Sequence, residues 1–252
     1  MTDLPPNLRP NRPPPPHAPL SRRTLGILGS CAPAVTAHIH GLIVRLAQLH
    51  FGAEENHDFP EIIALSRPVI GMTALGFKDD DRLQVQADLQ TARQRFLTLG
   101  AQVILPTCNS VAGLLADPDV ISLPDVAAQA AKNRDARRVG VLGSRRSKED
   151  ALHQRALETR EIEIVEVHDH TQQRIDALIQ SVMGGRQGIV EQMTLSSLCA
   201  ELLSRGADTV IMGCTELSMI GLDDPSGVVD AAAVSALEAL LRLSRLEPAP
   251  AL

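Results

Sequence analysis

Short aliphatic runs alternate along this chain with longer segments in which apolar residues recur at the spacing of a helix. The runs that predict strands are Thr24–Leu28, Glu61–Leu65, Gln102–Leu105, Ile121–Leu123, Arg138–Leu142, Glu163–Val167, Thr209–Met212 and Val228–Val229. The segments that predict helices lie near Val35–His50, Asp81–Leu99, Val126–Asn133, Lys148–Arg160, Thr171–Met183, Ile189–Ser204 and Ala231–Arg245. Because apolar strands that alternate with helices are typical of a parallel sheet covered on both faces, the predicted fold class is α/β.

The chain also contains an internal repeat. The segment Gly26–Ser30 (GILGS) recurs as Gly140–Ser144 (GVLGS), and Gly100–Cys108 (GAQVILPTC) recurs as Gly206–Cys214 (GADTVIMGC). The two offsets, 114 and 106 residues, are similar and the order is the same. This predicts two similar lobes with parallel sheets, related by a pseudo-twofold axis, with an active site in the cleft between them.

The repeat and a proline-rich start divide the chain. Residues 1–23 carry the run Pro13 to Pro16 and no apolar periodicity, which predicts a disordered tail, with a PxxP ligand as the less favoured interpretation. Residues 24–122 are predicted to form the first lobe and 123–230 the second, each of ordinary domain size. The C-terminal helix, 231–246, is predicted to return to the first lobe.

The composition of the chain limits the classes of molecule that it is expected to bind. The net charge is -6 without a basic block, which disfavours nucleic acid and anionic membranes. Aromatic residues make up 2% of the chain, too few for a stacking site for bases or sugars. No apolar run approaches the ~20 residues of a membrane span and the N-terminus lacks a secretory core, so a cytoplasmic protein with reduced thiols and a small neutral or zwitterionic ligand is expected.

Two cysteines occupy matching places in the repeat. Cys108 and Cys214 each follow a four-residue apolar strand, at the sheet edge where parallel α/β folds bind ligands. If the two lobes face each other, the two thiols meet across one cleft. One cysteine as thiolate can then remove a proton from a carbon acid while the other, as thiol, returns a proton to the opposite face. This arrangement predicts a racemase that needs no cofactor.

The residues after each cysteine support this prediction. Asn109 and Ser110 follow the first, and Thr215 and Glu216 follow the second, at positions that open short helices. Their polar groups are candidates for holding a substrate carboxylate as charge builds up on it.

The other cysteines have simpler interpretations. Cys199 lies mid-helix, where packing is expected. Cys31 follows the first strand and should reach the same cleft. It is interpreted as a soft wall of the pocket, with a thiolate metal site as the minor alternative, since no cysteine pair has the CxxC spacing of a zinc motif.

At this point the motifs resemble those of the aspartate/glutamate racemase superfamily, over Thr24–Leu243. Gly26–Pro33 (GILGSCAP) is similar to the opening strand and loop of the family, and Thr107–Ser110 (TCNS) to its first cysteine motif. Val141–Ser147 (VLGSRRS) is similar to the second-lobe strand and Thr-rich loop, and Gly213–Leu217 (GCTEL) to the second cysteine motif. A Glu after the second cysteine is the pattern of the aspartate racemase branch.

The resemblance implies two α/β lobes, no pyridoxal phosphate, no metal, a homodimer, and racemisation of an amino acid between the cysteines. By position, Cys108 and Cys214 inherit the acid/base roles, and Ser30 and Ser147 belong to loops that bind substrate. Asn109, Ser110 and Thr215 would bind the α-carboxylate, and Glu216 would face the ammonium group or orient a cysteine. For a side-chain carboxylate the candidates are Arg67 and Arg174.

The chain departs from the family pattern in two places. The opening loop has Ser30-Cys31-Ala32 instead of a Gly-Met-Gly type of sequence, and Ala112 replaces the usual His after the first cysteine motif. We therefore expect a neutral or modestly polar substrate side chain in preference to aspartate. Relatives on this fold also include decarboxylases and cis–trans isomerases of small dicarboxylic acids. Those activities, and a non-catalytic ligand-binding homologue, are the alternative functions.

Overall fold

The first lobe is built on a parallel three-stranded sheet. A computed structural model describes residues 20–73 and 75–247. Strands β1 (Thr24–Gly29), β2 (Glu61–Ser66) and β5 (Val103–Pro106) are ordered β2-β1-β5, with every described pairing parallel. A short antiparallel hairpin, β3 (Met72–Thr73) and β4 (Gly76–Phe77), follows β2.

The second lobe repeats this order. Its sheet is parallel, ordered β7-β6-β8-β9, and consists of β6 (Arg138–Leu142), β7 (Glu163–Val165), β8 (Thr209–Met212) and β9 (Val228–Asp230). The predicted α/β class and two-lobe architecture are confirmed. The first-lobe counterpart of β9 is a single parallel bridge between Val120 and Ile104, in place of the predicted strand Ile121–Leu123.

Helices cover both faces of each sheet. They are α1 (Pro33–Phe51), α2 (Arg82–Thr98), α3 (Leu123–Lys132), α4 (Arg145–Glu149), α5 (Leu152–Glu158), α6 (Asp169–Met183), α7 (Ile189–Ser204) and α8 (Ala231–Ser244). In the first lobe α1 and α8 pack on one face and α2 on the other. In the second lobe α6 and α7 cover one face and α3 and α5 the other.

The repeated glycines have an equivalent packing role in both lobes. A Cβ atom on Gly26 of β1 would lie 2.7 Å from the ring of Phe96 on α2. A Cβ atom on Gly140 of β6 would lie 2.8 Å from the side chain of Leu202 on α7. Each central strand therefore needs glycine at this place, because a large side chain from the covering helix lies directly against the backbone.

Helix α8 packs against the first lobe although it follows the second lobe in sequence. Its small residues Ala232, Ala236 and Ala239 are buried in the same cluster as α1 and β1. It also contacts α3, so this pair of helices lies where the two lobes join.

The N-terminal boundary needs a correction. Residues 1–19 of the predicted tail lie outside the described residues, but the prediction of disorder up to Arg23 is wrong at its end. Leu20 is fully buried in the first-lobe cluster, and the backbone from Leu20 to Arg23 forms a turn. The Arg23 side chain donates a hydrogen bond to the Leu246 carbonyl, which ties this turn to the end of α8. One isolated leucine in a polar, proline-rich segment gave no periodic signal.

The predicted helix Lys148–Arg160 is two helices. Ala151 separates α4 from α5 in a left-handed conformation, with φ of 50°. Alanine carries no sequence signal for this conformation, which glycine and asparagine favour. Among the residues described, no helix combines the length and apolar character needed to cross a membrane.

Candidate active site

The two cysteine strands end at one cavity. Leu28 on β1 lies opposite Pro106 on β5, and Leu142 on β6 lies opposite Met212 on β8, so the loops after these strands emerge at matching sheet edges. The cavity between the lobes is lined by Cys31, Thr73, Gly76, Cys108, Asn109, Ser110, Ser144, Ser147, Gly213, Cys214, Thr215 and Glu216. The thiols of Cys108 and Cys214, from different lobes, thus share one small space.

Cys214 is held by a carboxylate. Its Sγ donates a hydrogen bond to Oε2 of Glu216 at 2.9 Å, and Glu216 is almost completely buried. Burial, together with the negative charge and hydrogen bond of Glu216, raises the pKa of the Cys214 thiol well above its ordinary value. Burial also raises the pKa of Glu216. Glu216 therefore orients Cys214 as a protonated thiol.

Thr215 joins the two lobes. Its hydroxyl donates a hydrogen bond of 2.7 Å to the carbonyl oxygen of Thr107, the residue before the other cysteine. The same hydroxyl lies 3.3 Å from Oε2 of Glu216. This hydroxyl therefore links the cysteine motifs of the two lobes, and Thr215 also lines the cavity.

Cys108 has neutral donors around it. Cys31 and Cys108 both line the cavity. Interaction with the Cys31 thiol is the main cause that lowers the pKa of Cys108, and the backbone N–H and hydroxyl of Ser110 lower it further, against the opposing effects of burial and of the Glu216 charge. Interaction with Cys108, together with burial, raises the pKa of Cys31. The Cys31 Sγ also lies 3.7 Å from Met72 Sδ and 3.7 Å from Ser30 Oγ.

Two polar side chains of the cavity have unused hydrogen-bonding capacity. Asn109 is buried, and neither its amide nitrogen nor its amide oxygen has a partner among the described residues. The Ser147 hydroxyl is likewise buried and unpartnered. A buried amide or hydroxyl without a hydrogen-bond partner destabilises the fold. Such groups are typical of sites where a bound molecule supplies the missing partner.

Neither predicted arginine reaches the cavity. The guanidinium of Arg67 lies 3.6 Å from the Asp88 carboxylate of α2, and Arg67 does not line the cavity. Arg174 pairs with Glu201 at 2.7 Å and contacts Ser197 on α7. Arg174 thus neutralises an acidic neighbour on a helix, whereas Nη1 of Arg67 is buried and has no hydrogen-bond partner among the described residues. Of the lining residues described, none is Lys or Arg.

Ser30 lies just outside the lining residues. It is buried, and its hydroxyl contacts the Cys31 thiol, so it touches the cavity only through that cysteine.

Sequence reasoning gave no role to four lining residues, Thr73, Gly76, Ser144 and Gly213. Thr73 and Gly76 come from the β3–β4 hairpin, which has too short a pattern to be predicted. Ser144 is the last residue of the repeated segment Gly140–Ser144. Its hydroxyl accepts a hydrogen bond from the Ser147 backbone N–H and so caps the start of α4. An N-capping serine three residues before Ser147 is the one signal that was present.

The hairpin reaches across the cleft to the second lobe. The Arg146 guanidinium of α4 lies 4.6 Å from the centre of the Phe77 ring and 2.8 Å from the Asp79 carboxylate. A Cβ atom on Gly76 would lie 2.5 Å from the Arg146 side chain, so glycine is required where the two lobes touch. The cavity beneath has a volume of about 10 Å³.

His153 supports the second cysteine loop from behind. Its Nε2 lies 3.3 Å from the Gly213 carbonyl oxygen, and its ring is buried. Burial lowers its pKa to about 4, so the ring is neutral at physiological pH. Nε2 then carries the proton, since a carbonyl can only accept. No set of three His, Cys, Asp or Glu side chains in the described part of the chain is grouped to hold a metal ion.

The sequence profile of the Asp/Glu/Hydantoin racemase family matches residues 29–239. The chain belongs to this family. The resemblance inferred from the cysteine motifs is thereby confirmed.

Solved members of the fold superimpose along most of the chain. An aspartate racemase homologue from Pyrococcus horikoshii gives a TM-score of 0.67 at 19% identity, over 88% of this chain and 99% of that one. The aspartate racemase of Picrophilus torridus gives 0.68 at 16% identity, over 89% and 100%. An allantoin racemase from Klebsiella pneumoniae gives 0.59 at 17% identity, over 88% and 89%. At these identities the likeness establishes the fold shared with the racemase family.

Proposed function

We propose that this racemase-family chain is a cofactor-independent amino-acid racemase or epimerase in which Cys108 and Cys214 act on opposite faces of the α-carbon. The observation that carries the proposal is the shared cavity, to which each lobe contributes one thiol from the end of an equivalent strand. The remaining lining residues are small and polar, which suits a compact molecule with several hydrogen-bonding groups.

The first step is removal of the α-proton. Cys108, whose pKa is lowered by the thiol of Cys31, supplies the thiolate and takes the proton from one face. Negative charge then moves onto the carboxylate of the substrate. The Asn109 amide and the Ser147 hydroxyl have no hydrogen-bond partner in the cavity, which supports a role for them as donors to that charge.

The second step returns a proton to the other face. Cys214, kept protonated by burial and by Glu216, donates its proton and becomes the thiolate. Glu216 orients the Sγ atom before the transfer, and its hydrogen bond with the thiol breaks as that single proton moves to the α-carbon. The result is inversion at the α-carbon, and the reverse reaction begins from the Cys214 thiolate.

Substrate binding requires movement of the hairpin. A volume of about 10 Å³ is close to that needed for a single water molecule and is too small for an amino acid. The contacts of Phe77 and Asp79 with Arg146 lie at the surface side of the cleft. We infer that these contacts open to admit the substrate and close over it to exclude water.

A second candidate is racemisation of a cyclic ureide such as a hydantoin. It is favoured by one observation: the cavity combines an unpartnered amide of Asn109, which can donate and accept, with no cationic residue among its described lining. A neutral ring with alternating N–H and C=O groups matches that chemistry. The allantoin racemase among the structural neighbours acts on a molecule of this type.

The decisive experiment follows the α-proton. The purified protein is incubated in deuterium oxide with single enantiomers of alanine, serine, homoserine and aspartate, and with allantoin, and both exchange and optical purity are measured. Exchange with inversion supports a racemase and identifies the candidate class. Loss of carbon dioxide, or isomerisation of a dicarboxylic acid, would point to the alternative enzymes. Binding without exchange would contradict catalysis and leave a ligand-binding homologue.

Two further predictions concern the oligomeric state and the cellular location of the protein. The family resemblance implies a homodimer, which sedimentation equilibrium of the full chain tests directly. A cytoplasmic location remains a prediction from the sequence, tested by fractionation of the source cells.

A further inference from the structure

A second cavity lies in the second lobe, next to the catalytic cavity. It is bounded by the ends of β6 and β7 and by the helices α4 and α5, and its volume is about 160 Å³. A cavity of about this volume in a protein interior can hold a benzene ring. Of the described residues, Ser147 alone lines both cavities. The proposed racemisation makes no use of this second space, which we call the His153 cavity.

Two buried polar groups of the His153 cavity have no hydrogen-bond partner among the described residues. They are Nδ1 of His153 and the hydroxyl of Ser147, in side chains of residues that are 4% and 3% exposed. Nδ1 is an acceptor, because Nε2 of the same neutral ring carries the proton that faces the Gly213 carbonyl. A buried acceptor and a buried hydroxyl therefore lack the partners that a bound molecule could supply.

The rest of the lining favours an uncharged molecule. Val141, Val165 and Val167 give the cavity an apolar wall. The exposed residues Lys148 and Glu166 have opposite charges, and the Lys148 ammonium donates a hydrogen bond of 2.7 Å to the Val167 carbonyl. A charged group would lose its hydration in this cavity without a dedicated counter-ion, which is unfavourable.

We propose that the His153 cavity is a second binding site, for a compact uncharged molecule that carries an N–H or O–H donor on an apolar frame about the size of a benzene ring. The donor of this molecule bonds to Nδ1 of His153. An acceptor on the molecule can receive a hydrogen bond from the Ser147 hydroxyl. The inference goes beyond the proposed function, since binding here requires no turnover at the two cysteines.

Occupation of the cavity affects the second cysteine loop through the imidazole ring. Nε2 of His153 lies 3.3 Å from the carbonyl oxygen of Gly213, the residue before Cys214. A Cβ atom on Gly213 would lie 2.7 Å from Nε2, so the ring and the loop are in close contact. A donor bonded to Nδ1 stabilises the tautomer that has its proton on Nε2. The bound molecule thereby strengthens the contact that holds the loop of Cys214.

The first test is binding of two matched rings to the full-length protein. Pyrazole is uncharged at neutral pH and has one N–H donor and one acceptor nitrogen, whereas isoxazole is a ring of the same size without a donor. Both are titrated into protein with isotopically labelled histidine side chains and followed by nitrogen NMR. We expect saturable binding of pyrazole in the millimolar range, about tenfold tighter than isoxazole. The Nδ1 resonance of His153 should shift with pyrazole and not with isoxazole.

Two variants locate the bound ring. His153→Phe keeps an aromatic ring and removes both nitrogens, so the affinity for pyrazole should fall about tenfold, to that of isoxazole. Ile164→Trp enlarges a lining residue that is 36% exposed and should abolish binding of both rings. The matched control is Leu203→Trp, because Leu203 is also 36% exposed but lies on α7 and does not line the cavity. It should bind pyrazole as the native protein does.

Three results would overturn the proposal. The first is equal affinity for the two rings, and the second is pyrazole binding that persists in both His153→Phe and Ile164→Trp. The third is no saturable binding of either ring to the native protein, because solvent would then satisfy the two buried groups.

A second readout separates this site from the catalytic cavity. Saturating pyrazole should slow alkylation of Cys214 by iodoacetamide about fivefold, because the loop opens less often when His153 holds it. The effect should be absent in His153→Phe, and Cys108 should react as before. Equal slowing of Cys108 and Cys214 would place the probe in the catalytic cavity and contradict a separate site. These measurements need no turnover, so a failure of the proposed racemisation leaves their outcome unchanged.

Discussion

The two cysteine loops occupy equivalent positions in the repeat but have opposite surroundings. Cys108 is surrounded by neutral donors, Cys31 and Ser110, which lower its pKa. The Cys214 thiol donates a hydrogen bond to the carboxylate of Glu216. Burial and the negative charge of Glu216 raise the pKa of Cys214. The strand repeat thus determines where each thiol lies, whereas the residues next to each thiol determine its protonation. A duplicated scaffold can in this way present one base and one acid to a single molecule.

Removing one of the two thiols is expected to have the largest effect on racemisation. Cys108→Ser or Cys214→Ser should reduce racemisation by about a thousandfold or more, since a hydroxyl is a far weaker acid than a thiol and supplies almost no conjugate base near neutral pH. Because each thiol addresses one face, a variant can still exchange the α-proton of one enantiomer. Chiral chromatography combined with deuterium exchange distinguishes the two effects.

The control for this prediction is Cys199→Ser. Cys199 is buried in the second-lobe core and does not line the cavity, so its replacement should leave the kinetics unchanged. Near-native racemisation in both cleft variants would contradict the acid/base assignment.

The walls of the cleft from the two lobes share one property, the lack of a cation among their described residues. An aspartate side chain would bring a second carboxylate next to Glu216 without a partner, at a cost of about 3 kcal/mol or more. We therefore expect kcat/KM for L-aspartate to be about a hundredfold lower than for the best neutral substrate. Aspartate as the best substrate in a panel with alanine, serine, homoserine and allantoin would refute this expectation.

Much of the fold was accessible from the sequence because both lobes repeat strong signals. The strand that ends at each cysteine, and the glycines of the central strands, follow from buried periodicity and from close helix packing at Gly26 and Gly140. Both cleft cysteines were predicted from their matching positions.

Other features could not be predicted because they depend on contacts distant in sequence. The hydroxyl of Thr215 meets a carbonyl 108 residues away, and Arg67 pairs with Asp88. The hairpin with Thr73 is too short for a periodic pattern. A left-handed alanine at Ala151 is imposed by tertiary packing against its local preference.

Replacing Glu216 sharpens the difference between the two loops. In Glu216→Gln the negative charge beside Cys214 is lost, so the thiolate is less disfavoured and the pKa of Cys214 should fall towards its ordinary value. The Cys214 thiol then loses its proton at a lower pH than in the native protein. We expect the midpoint of Cys214 alkylation to move to lower pH and racemisation to fall about tenfold.

The Cys108 midpoint should move in the same direction by a smaller amount, because the charge of Glu216 raises the pKa of Cys108 as well but is a lesser contribution there. Equal shifts at both cysteines would show that Glu216 acts on the cavity as a whole and would remove the contrast between the loops.

The smallest predicted effect concerns how each lobe is completed. The second lobe is formed by a continuous stretch of chain, whereas the first also uses Leu20 from the N-terminal turn and α8 from the C-terminal end. Leu20 is fully buried, so Leu20→Ala should cost about 2 to 3 kcal/mol and lower the Tm by about 5 °C or more. A truncated chain beginning at Arg22 should behave similarly, and one beginning at Leu20 should match the full chain.

Hydrogen exchange should increase in β1 and α1 more than in β6 and β8, because Leu20 packs in the first-lobe cluster. A uniform increase across both lobes would mean that α3 and α8 couple them into a single cooperative unit, and the first lobe would then have no separate dependence on its chain ends.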